Sequence, residues 1–256
     1  MNLITDNYNF KTIVFDLDGT LTESKGSLSG DMSTLLCQLL EKHTVVIVSG
    51  GAFSQFKKQL LDKFVSPSDE ILSRLFLFPT NGSALYVYLD KAWHCVYEEK
   101  LSYGDRGRIV HAWSEALAKT GILLPTPSYG PVMEDRGSQI TFSACGQEAP
   151  IAVKTIWDPD QAKRTALREV MLPLLPEFAI SFGGMTSIDV TRKGIDKAYA
   201  IEKLLAYLKV SKDDIMFVGD KLEPGGNDYP ARRTGVHCVA VSGPVETAGV
   251  IKKLIA

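Results

Sequence analysis

Five short apolar runs constrain this chain more than anything else in it. They are "TIVFDLDG" (12–19), "TVVIVSGG" (44–51), "LFLFPTNG" (75–82), "IMFVGD" (215–220) and "HCVAVSG" (237–243). Each is continuous rather than alternating, and each closes on Gly, Asp, Asn or Ser. Strands read this way when both faces are covered, as in a parallel sheet with helices on either side. The stretches between them have helical periodicity. "GDMSTLLCQLLEKH" puts Leu35, Leu36, Leu39 and Leu40 on one face, and "DKAYAIEKLLAYLKV" carries Ala198, Ile201, Leu204, Leu205 and Leu208 at helical spacing. Strands alternating with helices predict an α/β fold with a doubly wound, Rossmann-like parallel-sheet core. In such a core the chemistry gathers at the carboxyl ends of the strands, where these runs turn polar.

The rhythm changes from about Tyr88 to Gly184. "AWHCVYEE" and "SQITFSAC" alternate more, as half-exposed strands do. "DRGRIVHAWSEALAKTG" and "DPDQAKRTALREVMLPLL" read as amphipathic helices, the first closed by Gly121 and the second by Pro173 and Pro176. An α+β insertion with one covered sheet face is expected here. Residues 1–87 and 185–256 are then the core domain and 88–184 the inserted one.

Composition excludes several classes. With 45% hydrophobic and 23% charged residues, the 256-residue chain has ample material for a core. A net charge of −2 and a pI near 6.1 give no pull toward nucleic acid or an acidic membrane surface, so neither is an expected partner. Nothing approaches an apolar span of about 20 residues. The opening "MNLITDNYNFK" lacks a basic flank and apolar block, and a cytoplasmic location is expected. Cys37, Cys95, Cys145 and Cys238 are scattered without a C-x-x-C pair, and the four histidines are equally dispersed. They read as reduced thiols and structural imidazoles rather than a zinc site.

The acids are more telling. Asp16 and Asp18 stand two apart at a strand end, so alternation sends both side chains to one side. Gly19 permits the tight turn that follows. Two carboxylates that close are tolerable beside a divalent cation, and oxygen-only ligands suit Mg²⁺. An Asx-turn after a strand would explain the stretch equally well by itself. The second acidic stretch, "GDKLEPGGND", ends another apolar run in Asp220 and sets Asp228 beyond a Gly-Gly turn. Together the two strand ends predict one cation site. Around it, Ser49, Gly50 and Gly51 form a strand end suited to an anion. Lys193 and Lys197 precede the Asp220 strand, with Lys197 opening a helix against the direction its dipole favours.

In this order, "FDLDGT", "SGG", Lys197 and "GDKLEPGGND" resemble the four motifs of the haloacid dehalogenase (HAD) phosphotransferase superfamily. The α+β insertion resembles the C2-type cap of subfamily IIB. Within that group, "FPTNGSALY", "EDRGSQITFS", "FGGMTSIDV" and "GDKLEPGGNDYP" are most similar to eukaryotic-type phosphomannomutases. The resemblance implies that Asp16 is the nucleophile forming an aspartyl-phosphate and Asp18 the general acid/base. It implies Mg²⁺ held by Asp16, the Asp18 carbonyl, Asp220 and Asp228, with Ser49, Gly50 and Lys197 on the phosphoryl oxygens. Ser187, Asp189 and Arg136 would bind the rest of the substrate. It also implies pairing of two copies through the cap, and cap motion with hinges near Tyr86–Tyr88 and Gly183–Thr186.

Departures from the family pattern bear on the reaction. The arginine expected after the Asp-x-Asp motif is Lys25, and another expected in the cap is Gln147. A third falls in "IAVKTIW", where only Lys154 is near. Losing two guanidinium forks removes phosphate binding at roughly 1.5–3 kcal/mol per charged hydrogen bond. The sequence therefore favours a Mg²⁺-dependent phosphohydrolase acting on a small phosphorylated metabolite, such as a sugar phosphate. The alternative is a phosphomannomutase recruiting cap cations such as Lys154 or Arg164. A non-catalytic sugar-phosphate sensor is the third reading, and it has no need of Asp16.

Overall fold

The computed structural model describes residues 10–24, 26–65 and 67–256. They fall into two units, one within Met1–Tyr97 and Ile195–Ala256, the other Glu98–Gly194. In chain order the first unit begins with β1 (Thr12–Asp16), α1 (Gly30–Lys42), β2 (Thr44–Val48), α2 (Phe53–Gln59), α3 (Asp69–Leu72), β3 (Leu75–Phe78), β4 (Ala84–Leu89) and β5 (Ala92–Glu98). The second holds α4 (Tyr103–Thr120), β6 (Met133–Asp135), β7 (Gln139–Ser143), α5 (Ile151–Trp157), α6 (Ala162–Met171), β8 (Phe178–Phe182) and β9 (Ser187–Arg192). The chain then returns to the first with α7 (Lys197–Leu208), β10 (Ile215–Gly219), α8 (Tyr229–Arg232), β11 (His237–Ala240) and α9 (Pro244–Ile255).

The first unit's sheet has the order β11-β10-β1-β2-β3-β4-β5. The five apolar runs supply its parallel strands, with β1 hydrogen-bonded to both β2 and β10. Burial on two faces explains their unbroken hydrophobicity. Ile13 and Phe15 face a core shared with Leu36, Leu39 and Leu40 of α1 and Ile251 of α9. Val14 faces the other way, onto Ala200, Ile201 and Leu204 of α7. The helical faces read from sequence are those that are buried here.

Two boundaries differ from expectation. The expected insertion began at Tyr88, yet β4 pairs antiparallel with β3, and β5 follows as the sheet's edge strand. It was expected to end at Gly184, yet β9 pairs with β7 and β8 in the second unit's sheet, of order β6-β7-β9-β8. The chain thus crosses between units near Tyr97–Glu98 and Gly194–Ile195. Tyr86–Tyr88 lies inside β4, and Gly183–Thr186 is the turn joining β8 to β9, so neither expected hinge is a crossing point.

The second unit's core joins Ile109 and Trp113 of α4, Leu167 and Met171 of α6, and Ile140, Phe142, Ile188 and Val190 of the sheet. Trp113 stacks on Phe142 with centroids 4.4 Å apart. Sequence alternation suggested that β7 is half-exposed, but all five of its residues are buried. Its polar positions, Gln139, Thr141 and Ser143, are as hidden as its apolar ones.

Gly82 ties the first unit's sheet to α7. It has φ +92°, and a Cβ there would lie 2.6 Å from the Ala200 Cβ. The Gly82→Ala variant is expected to lose about 2–4 kcal/mol from backbone strain and overpacking together. Urea titration should show that loss, and Ala200→Gly in the same chain should recover part of it. A Gly82→Ala variant as stable as wild type would show that the helix is free to shift.

Candidate active site

Sheet geometry brings the motifs together. Val14 faces α7, so Asp16, two residues on, faces it as well. There it meets Lys197, the first residue of α7. Asp196 caps that helix, its carboxylate accepting from the Ala198 and Tyr199 amides at 2.9 and 3.2 Å. The cap supplies the negative charge that a lysine at this position lacks. The Lys197 ammonium donates to Asp16 Oδ1 and to Asp228 Oδ1, and all three residues are buried. Asp228 precedes α8, and its Oδ2 accepts from the Lys221 amide at 3.0 Å.

Asp220 completes the group. Among the described residues, ligand atoms of Asp16, Asp220 and Asp228 lie within 4.8 Å of one another. Gly19, with φ +88°, makes room, since a Cβ there would stand 2.5 Å from Asp220 Oδ2. Thr20 donates to Asp220 Oδ1 at 3.5 Å.

Three carboxylates with one ammonium leave negative charge in excess. Burial pushes the Asp16 carboxyl up to about 7, Lys197 pulls against this, and Asp228 and Asp220 add to it. Burial alone would discharge Lys197, but Asp16 and Asp228 outweigh it and hold the ammonium above its ordinary range. Asp220 is also raised, first by burial and then by Asp228, with Lys221 opposing. One atom stays unanswered. Asp16 Oδ2 is buried and meets no donor among the described residues. A buried oxygen without a partner, beside two further carboxylates, fits a divalent cation with oxygen ligands.

Asp18 sits apart from this cluster. Ser49 Oγ donates to its Oδ2, and Gln59 Nε2 to its Oδ1, each at 3.5 Å. The Asp18 carboxylate is not among these converging acids; the resemblance put its backbone carbonyl, not its carboxylate, at the cation. Gln59, at the end of α2, was not foreseen, because no motif marks it. Ser49 Oγ also accepts from the Gly51 amide at 3.2 Å, which fixes the "SGG" turn containing Gly50. Lys193, flagged with Lys197, is an exposed residue of the second unit. Lys25 lies outside the described residues.

The second unit holds the other expected substrate ligands. Arg136 is in the β6–β7 turn, where Glu134 Oε2 accepts from its Nε at 2.9 Å and its Nη2 at 2.7 Å. Ser187 shares a 2.8 Å hydrogen bond with Ser143, and Asp189 accepts from Thr141 at 2.7 Å. Gln147 lies beyond the end of β7 with its Nε2 buried and without a partner, and Lys154 donates to its carbonyl at 3.3 Å. Arg164, weighed as a substitute phosphate ligand, is committed elsewhere. It pairs with buried Asp158 at 2.6 Å, donates to the Gly184 carbonyl and lies over the Phe182 ring. Thr141 and Gln139 on the same sheet were missed, although polar residues at alternate strand positions signalled them.

Comparison with known proteins agrees with the motif order. A family model described as eukaryotic phosphomannomutase matches residues 32–256. A probable phosphomannomutase of Caenorhabditis elegans is 28% identical over 253 residues, covering 95% of this chain and 94% of that protein. The phosphomannomutase of Schizosaccharomyces pombe is also 28% identical over 253 residues, with the same coverage. Two solved structures share the fold. IMP-bound IMP-nucleotidase of Plasmodium falciparum, truncated at its N-terminus, has a TM-score of 0.70 at 16% identity, covering 97% of this chain and 69% of that one. A haloacid dehalogenase-like hydrolase from Bacteroides thetaiotaomicron has a TM-score of 0.62 at 17% identity, covering 96% and 99%. The family match runs through Lys197, Asp220 and Asp228, and the chain belongs to the eukaryotic phosphomannomutase family of the HAD superfamily.

Proposed function

We propose that the chain is a hexose phosphomutase of the phosphomannomutase type, interconverting mannose 6-phosphate and mannose 1-phosphate. The observation that carries this reading is the unpartnered Asp16 Oδ2 at the Lys197–Asp228 cluster, in a chain whose full-length relatives are named phosphomannomutases. Those names favour the mutase over the hydrolase that the cap substitutions first suggested.

An Asp16 carboxylate oxygen attacks one phosphorus of a hexose bisphosphate, and the bond from that phosphorus to the sugar oxygen breaks. Asp18, steadied by Ser49 and Gln59, gives that oxygen its proton. The resulting aspartyl-phosphate is attacked by the free hydroxyl of a hexose monophosphate, whose proton goes to Asp18, and the bisphosphate so formed returns its other phosphoryl group to Asp16. Lys197 neutralises charge beside Asp16 throughout. Mg²⁺ held by Asp16, Asp220 and Asp228 would supply the remaining positive charge that phosphoryl transfer requires. Arg136, Ser187 and Asp189 are proposed to hold the sugar's non-reacting end. Pairing of two copies through the second unit belongs to the same proposal.

Hydrolysis keeps a specific observation in its favour. Gln147 stands where the family pattern has an arginine, and Arg164 is tied to Asp158. A weak site for the distal phosphate would let water take the place of the sugar hydroxyl. No helix among the described residues is long and apolar enough to cross a membrane.

The deciding assay gives purified protein Mg²⁺ and a panel of hexose phosphates. A mutase converts hexose 1-phosphate to 6-phosphate, faster with added hexose bisphosphate and with little free phosphate. Stoichiometric phosphate release would make the hydrolase reading correct. Asp16→Asn should lower turnover by roughly 10³-fold or more with the fold retained. Near-normal turnover in that variant would remove Asp16 as the nucleophile.

Cation binding has its own readout. Saturation at a hundredfold excess over the dissociation constant adds about 2.7 kcal/mol, a rise of several degrees in melting temperature. Asp16 is raised from its ordinary value of 3.8 to about 7. Between those values the native site holds a proton that the unfolded chain has lost, so metal-free stability falls as pH rises through this window. A cation must displace that proton at pH 5 but not at pH 8. Added MgCl₂ should therefore raise the melting temperature more at pH 8, and Asp16→Asn should remove most of the difference. An equal rise at both pH values would place the cation elsewhere.

A further inference from the structure

The second unit's sheet carries an acceptor that nothing among the described residues answers. Thr141 Oγ1 is 2.7 Å from Asp189 Oδ1 and 2.8 Å from Gln139 Nε2. A carboxylate only accepts, so the single Thr141 hydroxyl proton goes to Asp189. The Gln139 amide must then present its nitrogen to Thr141, which directs its carbonyl oxygen the other way. Gln139 is 0% exposed, and its Oε1 has no hydrogen-bond partner. A buried, unmatched carbonyl lowers stability, and its presence calls for an explanation. Backbone pairing brings the residue to the Arg136 turn, with the Arg136 amide donating to the Gln139 carbonyl at 2.8 Å.

The chemistry of the missing partner is restricted. A phosphate dianion offers no proton and cannot satisfy Oε1, whereas a sugar hydroxyl can. We propose that Gln139 is a specificity-determining residue, its Oε1 accepting a hydrogen bond from one hydroxyl of the sugar phosphate bound at the Arg136 turn. The inference rests on the sugar-phosphate reading above and extends it to a residue given no role in the motif that contains it. Thr141 and Asp189 act through Gln139 by holding its amide in one orientation. Through Gln139 the site reads one sugar hydroxyl, which a phosphate cannot replace.

Gln139→Met tests this, since it keeps the side chain's length and removes the unmatched acceptor together with the Nε2 donor to Thr141. Expected is a melting temperature equal to or above wild type, with kcat/KM on the preferred hexose phosphate lowered about 10–100-fold. Monodeoxy hexose phosphates then locate the contact. Wild type should discriminate against one of them by that same factor, and Gln139→Met should not discriminate at all. The inference is overturned if the variant matches wild type on every sugar. It is also overturned if the variant melts lower and loses activity uniformly across the series, which is the signature of a structural amide. Should wild type itself turn over no sugar phosphate, the parent reading fails and takes this inference with it. That result is visible in wild type alone, so the two failures are distinct.

Discussion

Everything at the candidate site hangs on one buried ammonium. Lys197 sits without solvent between Asp16 and Asp228, which come from the end of β1 and the start of α8. Ion pairs so deeply buried seldom add stability over apolar packing, because desolvating each charge is expensive. Removing one partner is worse, since it strands the others. The arrangement therefore makes little sense as a brace and good sense as a device for holding carboxylates close together. It pins three distant chain segments at one point and leaves Asp16 Oδ2 facing no donor. That unmet oxygen connects the electrostatics to the chemistry.

Much of this was legible in the sequence, for physical reasons. Strands buried on both faces must be continuously apolar, so β1, β2, β3, β10 and β11 announced themselves. Carboxylates at the ends of such strands are too costly to be incidental, so Asp16, Asp220 and Asp228 could be grouped before any coordinates. The spacing of Asp18 gave the side its carboxylate faces but not its partners. Ser49 and Gln59 decide where its carboxylate sits, and their meeting depends on how α2 leaves β2.

The second unit was harder to read. Its boundaries moved because β5 and β9 alternate like half-exposed strands wherever they pair, and alternation does not say which sheet will take them. Its cations were misjudged for a related reason. Arg164 looked available for an anion, yet Asp158, six residues earlier, claims it through a contact that helix periodicity does not reveal. Buried polar residues on β7 escaped notice because burial is usually inferred from apolarity, and Gln139, Thr141 and Ser143 are hidden without being apolar.

The position of β1 in its sheet has a consequence for how the protein is made. Its neighbours are β2, about 30 residues further along, and β10, about 200 residues further along, with the whole second unit lying between them in sequence. A growing chain can complete the second unit while one edge of β1 is still bare and Asp16 has neither Lys197 nor Asp228 beside it. The first unit cannot close until the last quarter of the chain has been synthesised, and long-range pairing of this kind is slow and exposes apolar strand edges meanwhile. The same delay leaves the cluster of Asp16, Lys197 and Asp228 unassembled until β10 and α8 have been made, so the proposed site forms late.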